Sequence, residues 1–311
     1  MPDFFWKGFE LMEAGHNKIK YGFVILHYMA YDMTVECVSN LLHYFEKDNI
    51  KIAIVDNASG NGSGKQLKEL YSSNGTVEVL LNQKNGGFAR GNNLGYRYLK
   101  ENYLPEYIIV MNNDVLIEQN DFLERIDEIY KETRFAVLGP DIYCPATHKH
   151  QNPAHLNGFN REEVQQLYDT ISKYSHHPAF YYYKKETLGK LKRKIFKKPQ
   201  NVDTIDRSKT MENVVLHGAC YIFSLNFIKK RENCFCPDTF LYMEEDILHY
   251  ECMENGMKML YSPEIRVKHL EDVSTNASIK SGLKKFKMKN REMEKSIKVF
   301  LHLMDMEGEN R

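Results

Sequence analysis

Residues 107–117 read YIIVMNNDVLI, an apolar, β-branched run that stops on Asn112, Asn113 and Asp114. A short, nearly continuous apolar run of this kind marks a strand covered on both faces. Three more occur upstream: YGFVILHY at 21–28, KIAIVD at 51–56 and TVEVLLN at 76–82. Between the first two, Val35, Val38, Leu41, Leu42 and Phe45 recur at helical spacing, with Asp32 as the expected N-cap. The glycine-rich GNGSGK opens the next connection, and GGFARGNNLGYRYLK runs from a loop into a helix before Pro105. Strand, helix and strand repeated in this way predict an α/β, doubly wound, mostly parallel sheet.

After Pro140 the character changes. Residues 145–210 are polar, rich in His and Tyr and then basic, without a clear period. They read as an inserted lid or an acceptor-side platform rather than core. Strand-like order returns at NVVLHGACYIFS, followed by a helix from Glu244 to Gly256 and the strand-like MKMLYS and IRVKH. The expected organisation is an N-terminal extension at 1–20, one α/β domain at 21–275 and a basic helical tail at 276–311.

Forty-two basic residues balance forty-two acidic ones, so nothing global points to nucleic acid. Basic residues nevertheless cluster. Tyr181–Gln200 holds eight of them against the single acid Glu186, and Lys280–Lys298 is also basic. Such patches beside aromatics suit an anionic surface. The six cysteines are scattered, and Cys234-Phe-Cys236 has no second pair to complete a zinc site, so reduced thiols are expected. MPDFFWKGFELMEAGHNK lacks a long apolar core, so no secretory signal is expected, and no run reaches the roughly 18 apolar residues that span a membrane. The expectation is a cytoplasmic protein, at most peripheral on the inner face of the cell membrane.

In an open parallel sheet, ligands bind outside the carboxyl ends of the strands. Asp56 and Asp114 both stand there. An aspartate at a strand end also serves as a turn former or helix cap. Two of them with a glycine loop between suggest a nucleotide site. GGFARGNN lacks G-x-G-x-x-G, and neither it nor GNGSGK fits the phosphate-loop spacing, which argues against a dinucleotide oxidoreductase and an NTPase. Asp114 offers the hard oxygen that Mg²⁺ or Mn²⁺ takes, the substrate's phosphates completing the shell.

The ordered set IVDNASGNGSG, NQKNGGFARGNN, VMNNDV, HGACYIFS and FLYMEEDILHYECMENGMKMLYSPEIRVKH resembles the motif series of family 2 glycosyltransferases. The rhamnosyltransferase-like branch, which builds bacterial surface polysaccharides, is the best match, over residues 21–275. The resemblance implies the GT-A (nucleotide-diphospho-sugar transferase) fold. It also implies a metal-dependent, inverting transfer from a UDP- or dTDP-sugar, rhamnose among the candidates, to a glycan or lipid-linked acceptor.

Carried over to this chain, the resemblance has Asp56 accept from the imide N–H of the base, with His27 and Tyr28 lining the same pocket. Arg90 would reach the nucleotide. Asp114, the last acid of the D-x-D element, and His269 would hold Mn²⁺ or Mg²⁺. Glu245 would be the catalytic base. Asn112 replaces the first acid of D-x-D on the nucleotide side, and Ile247 stands where a further acid is common. Two other readings compete: a nucleotide-sugar-binding partner without turnover, and a nucleotidyltransferase. The latter normally needs a basic phosphate-gripping loop after the first strand, and VILHYMAY has none.

Overall fold

A computed structural model describes residues 18–195, 205–271 and 282–309. Strands β1 (Tyr21–His27), β2 (Ile50–Asp56), β3 (Val77–Leu81) and β4 (Tyr107–Asn112) form one parallel half-sheet in the order β3-β2-β1-β4. Both faces of β1, β2 and β4 are buried, which explains their unbroken apolar runs. The connecting helices α1 (Tyr31–Phe45), α2 (Ser63–Leu70) and α3 (Gly87–Tyr103) complete the doubly wound pattern. Helix α1 begins one residue before the expected cap. Ala30 is its N-cap without a side-chain bond, and Asp32 lies in the first turn, where an acid still favours the helix N-terminus.

The sheet continues through β5 (Val115–Leu116), β6 (Val137–Cys144), β7 (Lys149–His150), β8 (Met211–Glu212), β9 (Cys220–Ser224) and β10 (Met259–His269), ordered β4-β9-β6-β10-β5. Strand β9 is antiparallel to both neighbours, so the sheet is mostly but not wholly parallel. MKMLYS and IRVKH are one strand, irregular between Ser262 and Arg266 and interrupted there by Pro263. The remaining helices are α4 (Phe122–Thr133), α5 (Arg161–His176), α6 (Pro178–Ile195), α7 (Leu225–Lys230), α8 (Glu244–Glu254) and α9 (Gly282–Glu309).

The polar stretch 145–210 is more regular than its composition suggests. It carries α5 and α6, and Val164, Leu167, Tyr168 and Ile171 form a sparse helical stripe on α5. That stripe packs with Ile297, Phe300, Leu301 and Met304 of α9 into a third apolar cluster, which also takes in Met243 and Ile247 at the start of α8. The basic C-terminal helix is therefore a buttress rather than a free tail. Its Ser296 hydroxyl donates to the carbonyl of Leu241 at 2.9 Å, just before α8. Residues 1–17, 196–204 and 272–281, which include the start of the expected extension, part of the basic run and the start of the expected tail, lie outside the described residues. Among the described residues no helix is long and apolar enough to cross a membrane, and all six cysteines are buried free thiols.

Candidate active site

The parallel half of the sheet brings the first motifs together. His27 and Asp56 stand opposite each other at the ends of β1 and β2. The Asp56 carboxylate lies at the start of α2, accepts from the backbone N–H of Ser59 at 3.2 Å and is 6% exposed. A Cβ at Gly64 would sit 2.2 Å from its Oδ2, so only glycine lets the acid approach this helix end. His27 is fully buried, with Nδ1 at 2.7 Å from the Thr34 hydroxyl and Nε2 at 2.8 Å from that of Ser63. Burial lowers its pKa, against the pull of Asp56. It thus supports Asp56 from behind and has no surface with which to line a base pocket. Tyr28, half-buried just beyond β1, keeps some.

Asn57 was not among the residues expected to matter, yet it organises the glycine loop. Its amide donates to the Gly87 carbonyl at 2.9 Å and to Asn85 at 3.0 Å, and its oxygen accepts from the Gly86 N–H at 2.9 Å. Arg90 leans outward, donating to the Pro237 carbonyl at 2.6 Å, with Asp238 at 3.8 Å. It lines a cleft of about 320 Å³ with Lys84 and Arg97, and this cleft shares no lining residue with the cavity at Glu245 described below.

At the end of β4 the three polar residues take different roles. Asn113 is buried and donates to the Thr34 hydroxyl at 2.9 Å, a structural role. Asn112 faces a cavity. Asp114 holds β10 through its backbone carbonyl, which accepts from the Leu270 N–H at 2.9 Å. Its side-chain Oδ1 is buried, has no hydrogen-bond partner and lies 3.3 Å from His269 Nε2. The two are close enough to count as an ion pair but are not aligned for a hydrogen bond. His269 Nδ1 is 2.7 Å from the Oε1 of Gln151, whose own Nε2 donates to Glu271 at 2.7 Å. Gln151 Oε1 must therefore accept, so Nδ1 carries a proton, and in the neutral ring Nε2 turns its lone pair toward Asp114.

With the ring neutral, the two groups are acceptors facing each other, an arrangement that a divalent cation satisfies. Among the described residues no group of three or more His, Cys, Asp or Glu side chains converges as a metal site. The pair thus fits a cation that takes its remaining ligands from a substrate diphosphate and water, as Mg²⁺ and Mn²⁺ commonly do. Asn112 in place of an acid leaves the site one charge poorer.

Next to this pair lies a cavity of about 190 Å³ lined by Asn112, His217, Gly218, Tyr242, Glu244 and Glu245 among others. Glu245 Oε1 accepts from the Gly218 N–H at 3.0 Å, and a Cβ at Gly218 would come within 2.8 Å of that oxygen. Burial raises the Glu245 pKa, and the Gly218 bond partly offsets this. Burial likewise lifts Glu244 to about 7, with Glu245 adding to it. Asp246, also pushed to about 7 by burial and by Glu245, lines a different cavity with Phe159, His249 and Tyr250. Consecutive helical side chains diverge by about 100°, which turns Asp246 away from the cavity that Glu244 and Glu245 share.

A model of Glycosyl transferase family 2 matches residues 23–191 of the chain. The chain belongs to that family. This family 2 protein is 28% identical over 105 residues to the glycosyltransferase GlyG of Streptococcus pneumoniae serotype 4, covering 34% of this chain and 33% of GlyG. It is 27% identical over 92 residues to the low-salt glycan biosynthesis hexosyltransferase Agl10 of Haloferax volcanii, covering 30% of this chain and 28% of Agl10. The alignments thus span about a third of the curated relatives' length. Among solved structures, GalNAc-T7 with UDP, GalNAc and Mn²⁺ superposes with a TM-score of 0.54 at 14% identity, over 84% of this chain and 45% of that one. Residues 1–349 of TarS from S. aureus give 0.50 at 12% identity, over 81% and 60%. At these identities the likeness is one of fold, and the expected GT-A architecture is present.

Proposed function

We propose that this protein is a metal-dependent, inverting glycosyltransferase that moves a sugar from a UDP- or dTDP-sugar to a hydroxyl of a glycan or lipid-linked acceptor in polysaccharide synthesis. The observation that carries the reading is the buried, unbonded Asp114 Oδ1 standing 3.3 Å from His269 Nε2 at the edge of a sheet whose nearby cavity holds Glu245. Family membership narrows the chemistry to sugar transfer, and a neighbour of the same fold was solved with UDP and Mn²⁺. A hexosyl donor is supported by Agl10, and rhamnose stays among the sugars to be tested.

Asp56 would accept from the base imide, with Tyr28 beside it. Asp114 and His269 would hold the cation, which when bound supplies positive charge to the departing nucleoside diphosphate. Glu245 would take the acceptor's hydroxyl proton. Burial suits it to this task, because a carboxylate with a raised pKa is a stronger base near neutral pH. The Gly218 N–H holds one of its oxygens in place.

The exposed Phe180 and Tyr183, next to exposed Lys184 and Lys185 on α6, support a place on an anionic membrane surface, where a lipid-linked acceptor lies. Co-sedimentation with anionic vesicles that is lost at high salt is the expected result, and indifference to lipid charge would refute it.

The deciding experiment for the activity is a thermal-shift screen of UDP- and dTDP-sugars with and without Mn²⁺, followed by nucleoside diphosphate release with and without acceptor. A ligand that binds the folded state raises its melting temperature. Donor binding without acceptor-dependent release would leave a nucleotide-sugar-binding protein instead.

A further inference from the structure

His217 belongs to the HGAC motif, and the roles set out above leave it unused. It stands where the two halves of the site meet. Its ring lies 5.8 Å from that of His269, centroid to centroid, and it lines the cavity that contains Glu245 and Asn112. Its backbone is fixed, because its own N–H donates to Asn152 Oδ1 at 3.0 Å. The next residue, Gly218, holds Glu245 at 3.0 Å. One short loop therefore sets His217 and the Glu245 carboxylate in a constant relation.

The tautomer is fixed as well. The Ala219 N–H donates to His217 Nδ1 at 3.2 Å, so in the neutral ring the proton is on Nε2. Nε2 bonds no protein atom among the described residues. Among the described residues His217 forms no three-residue cluster with Asp114 and His269. The neighbouring ring, His269, presents the opposite tautomer, with its proton turned back to Gln151. Two histidines in ring contact thus carry complementary chemistry: one offers a lone pair, the other an N–H.

We infer that His217 is a positioning residue whose Nε2–H donates a hydrogen bond to an oxygen of the donor substrate, on the transferred sugar or on the leaving phosphate. This rests on the transferase reading above. A donor at this place, between the metal pair and the catalytic base, would hold the reacting end of the nucleotide sugar rather than its pyrimidine, which Asp56 would serve on β2, two strands from β4.

The test uses two variants that separate the halves of the imidazole. His217→Asn keeps an oxygen at the Nδ1 position for the Ala219 N–H but has no group that reaches the cavity. His217→Gln places an amide N–H near the Nε2 position. Calorimetric titrations with Mn²⁺ compare two pairs of probes, UDP-glucose with UDP and dTDP-rhamnose with dTDP. His217→Asn should melt like wild type yet bind the nucleotide sugar about tenfold more weakly, with His217→Gln recovering most of the loss. Loss confined to the nucleotide sugar puts the oxygen on the sugar, and equal loss for the free nucleotide puts it on the phosphate. Both results support the assignment. If wild type binds and both variants bind equally well, His217 is only a loop tie and the inference fails. If wild type binds none of the four probes, the transferase reading itself fails and the inference with it.

Discussion

The two ends of the sheet edge treat their polar groups in opposite ways. Around β1 and β2 the polar side chains are bonded to one another: His27 through both nitrogens, Asp56 to Ser59 and Asn57 to the glycine loop. Around β4, β10 and α8, three buried carboxylates each carry an oxygen without a partner, Asp114 Oδ1, Glu244 Oε1 and Asp246 Oδ1. Leaving a buried acceptor unpaired costs about 1–3 kcal/mol, so three such carboxylates in one region mark a place where something else can bind or a proton is held. The first region is a nearly finished cradle, with Asn92 Oδ1 on α3 left without a partner. The second waits for a cation, a substrate or a proton.

The sharpest way to break this contrast is Asp114→Ala. It removes one of the facing acceptors but not the backbone bond to Leu270, so the fold should survive. Transfer should drop to background, and Mn²⁺ should no longer raise the melting temperature gained with UDP. Full, metal-independent activity would return Asp114 to the role of a turn residue. Gln151→Leu sharpens the same point at one remove. Without its acceptor, the His269 proton is free to shift to Nε2, and Mn²⁺ affinity should fall about 10- to 100-fold.

The next largest effect is expected at the three acids. Glu245→Gln should reduce turnover by roughly 10²- to 10⁴-fold with donor affinity kept, because the nucleotide is held elsewhere. Glu244→Gln should cost less and Asp246→Asn least, since Asp246 faces another cavity. A dead Glu244→Gln beside an active Glu245→Gln would shift the base by one residue.

In the cradle the expected effect is on binding rather than rate. Asp56→Ala should weaken UDP or dTDP by about 1.5–3 kcal/mol, the worth of one hydrogen bond to a charged acceptor. Unchanged affinity by calorimetry would remove Asp56 from the base pocket.

The smallest effect is on stability. Glu244 and Asp246 have pKa values raised to about 7 in the folded chain, above the ordinary carboxylate range they return to when unfolded. The folded state therefore binds more protons than the unfolded one between about pH 4 and 7. The contribution of these groups is present in full at the acid end of that window and is lost as pH rises through 7. Without nucleotide or metal, Glu244→Gln should remove its share of this contribution, so the variant should gain melting temperature relative to wild type as pH rises from about 4 to 7. This comes on top of the opposite slope from His27, His217 and His249, whose pKa values burial lowers. A rise with pH unaffected by Glu244→Gln would show that the buried acid stays ionised.

What the sequence determined by itself was whatever leaves a local or ordered mark. Strands buried on both faces must be continuously apolar, so β1, β2 and β4 stand out in the chain. The strand-end aspartates and the ordered motifs pointed to the family and its fold. Only the tertiary structure decided the rest. His27 is buried behind Asp56, Arg90 leans to another cleft, and α5 pairs with α9. The tautomer of His269 is fixed by Gln151, 118 residues away. A single hydrogen bond between such distant residues imposes no period and no composition on the chain. It comes into being only when the sheet sets β10 beside β6 and carries both to the same edge.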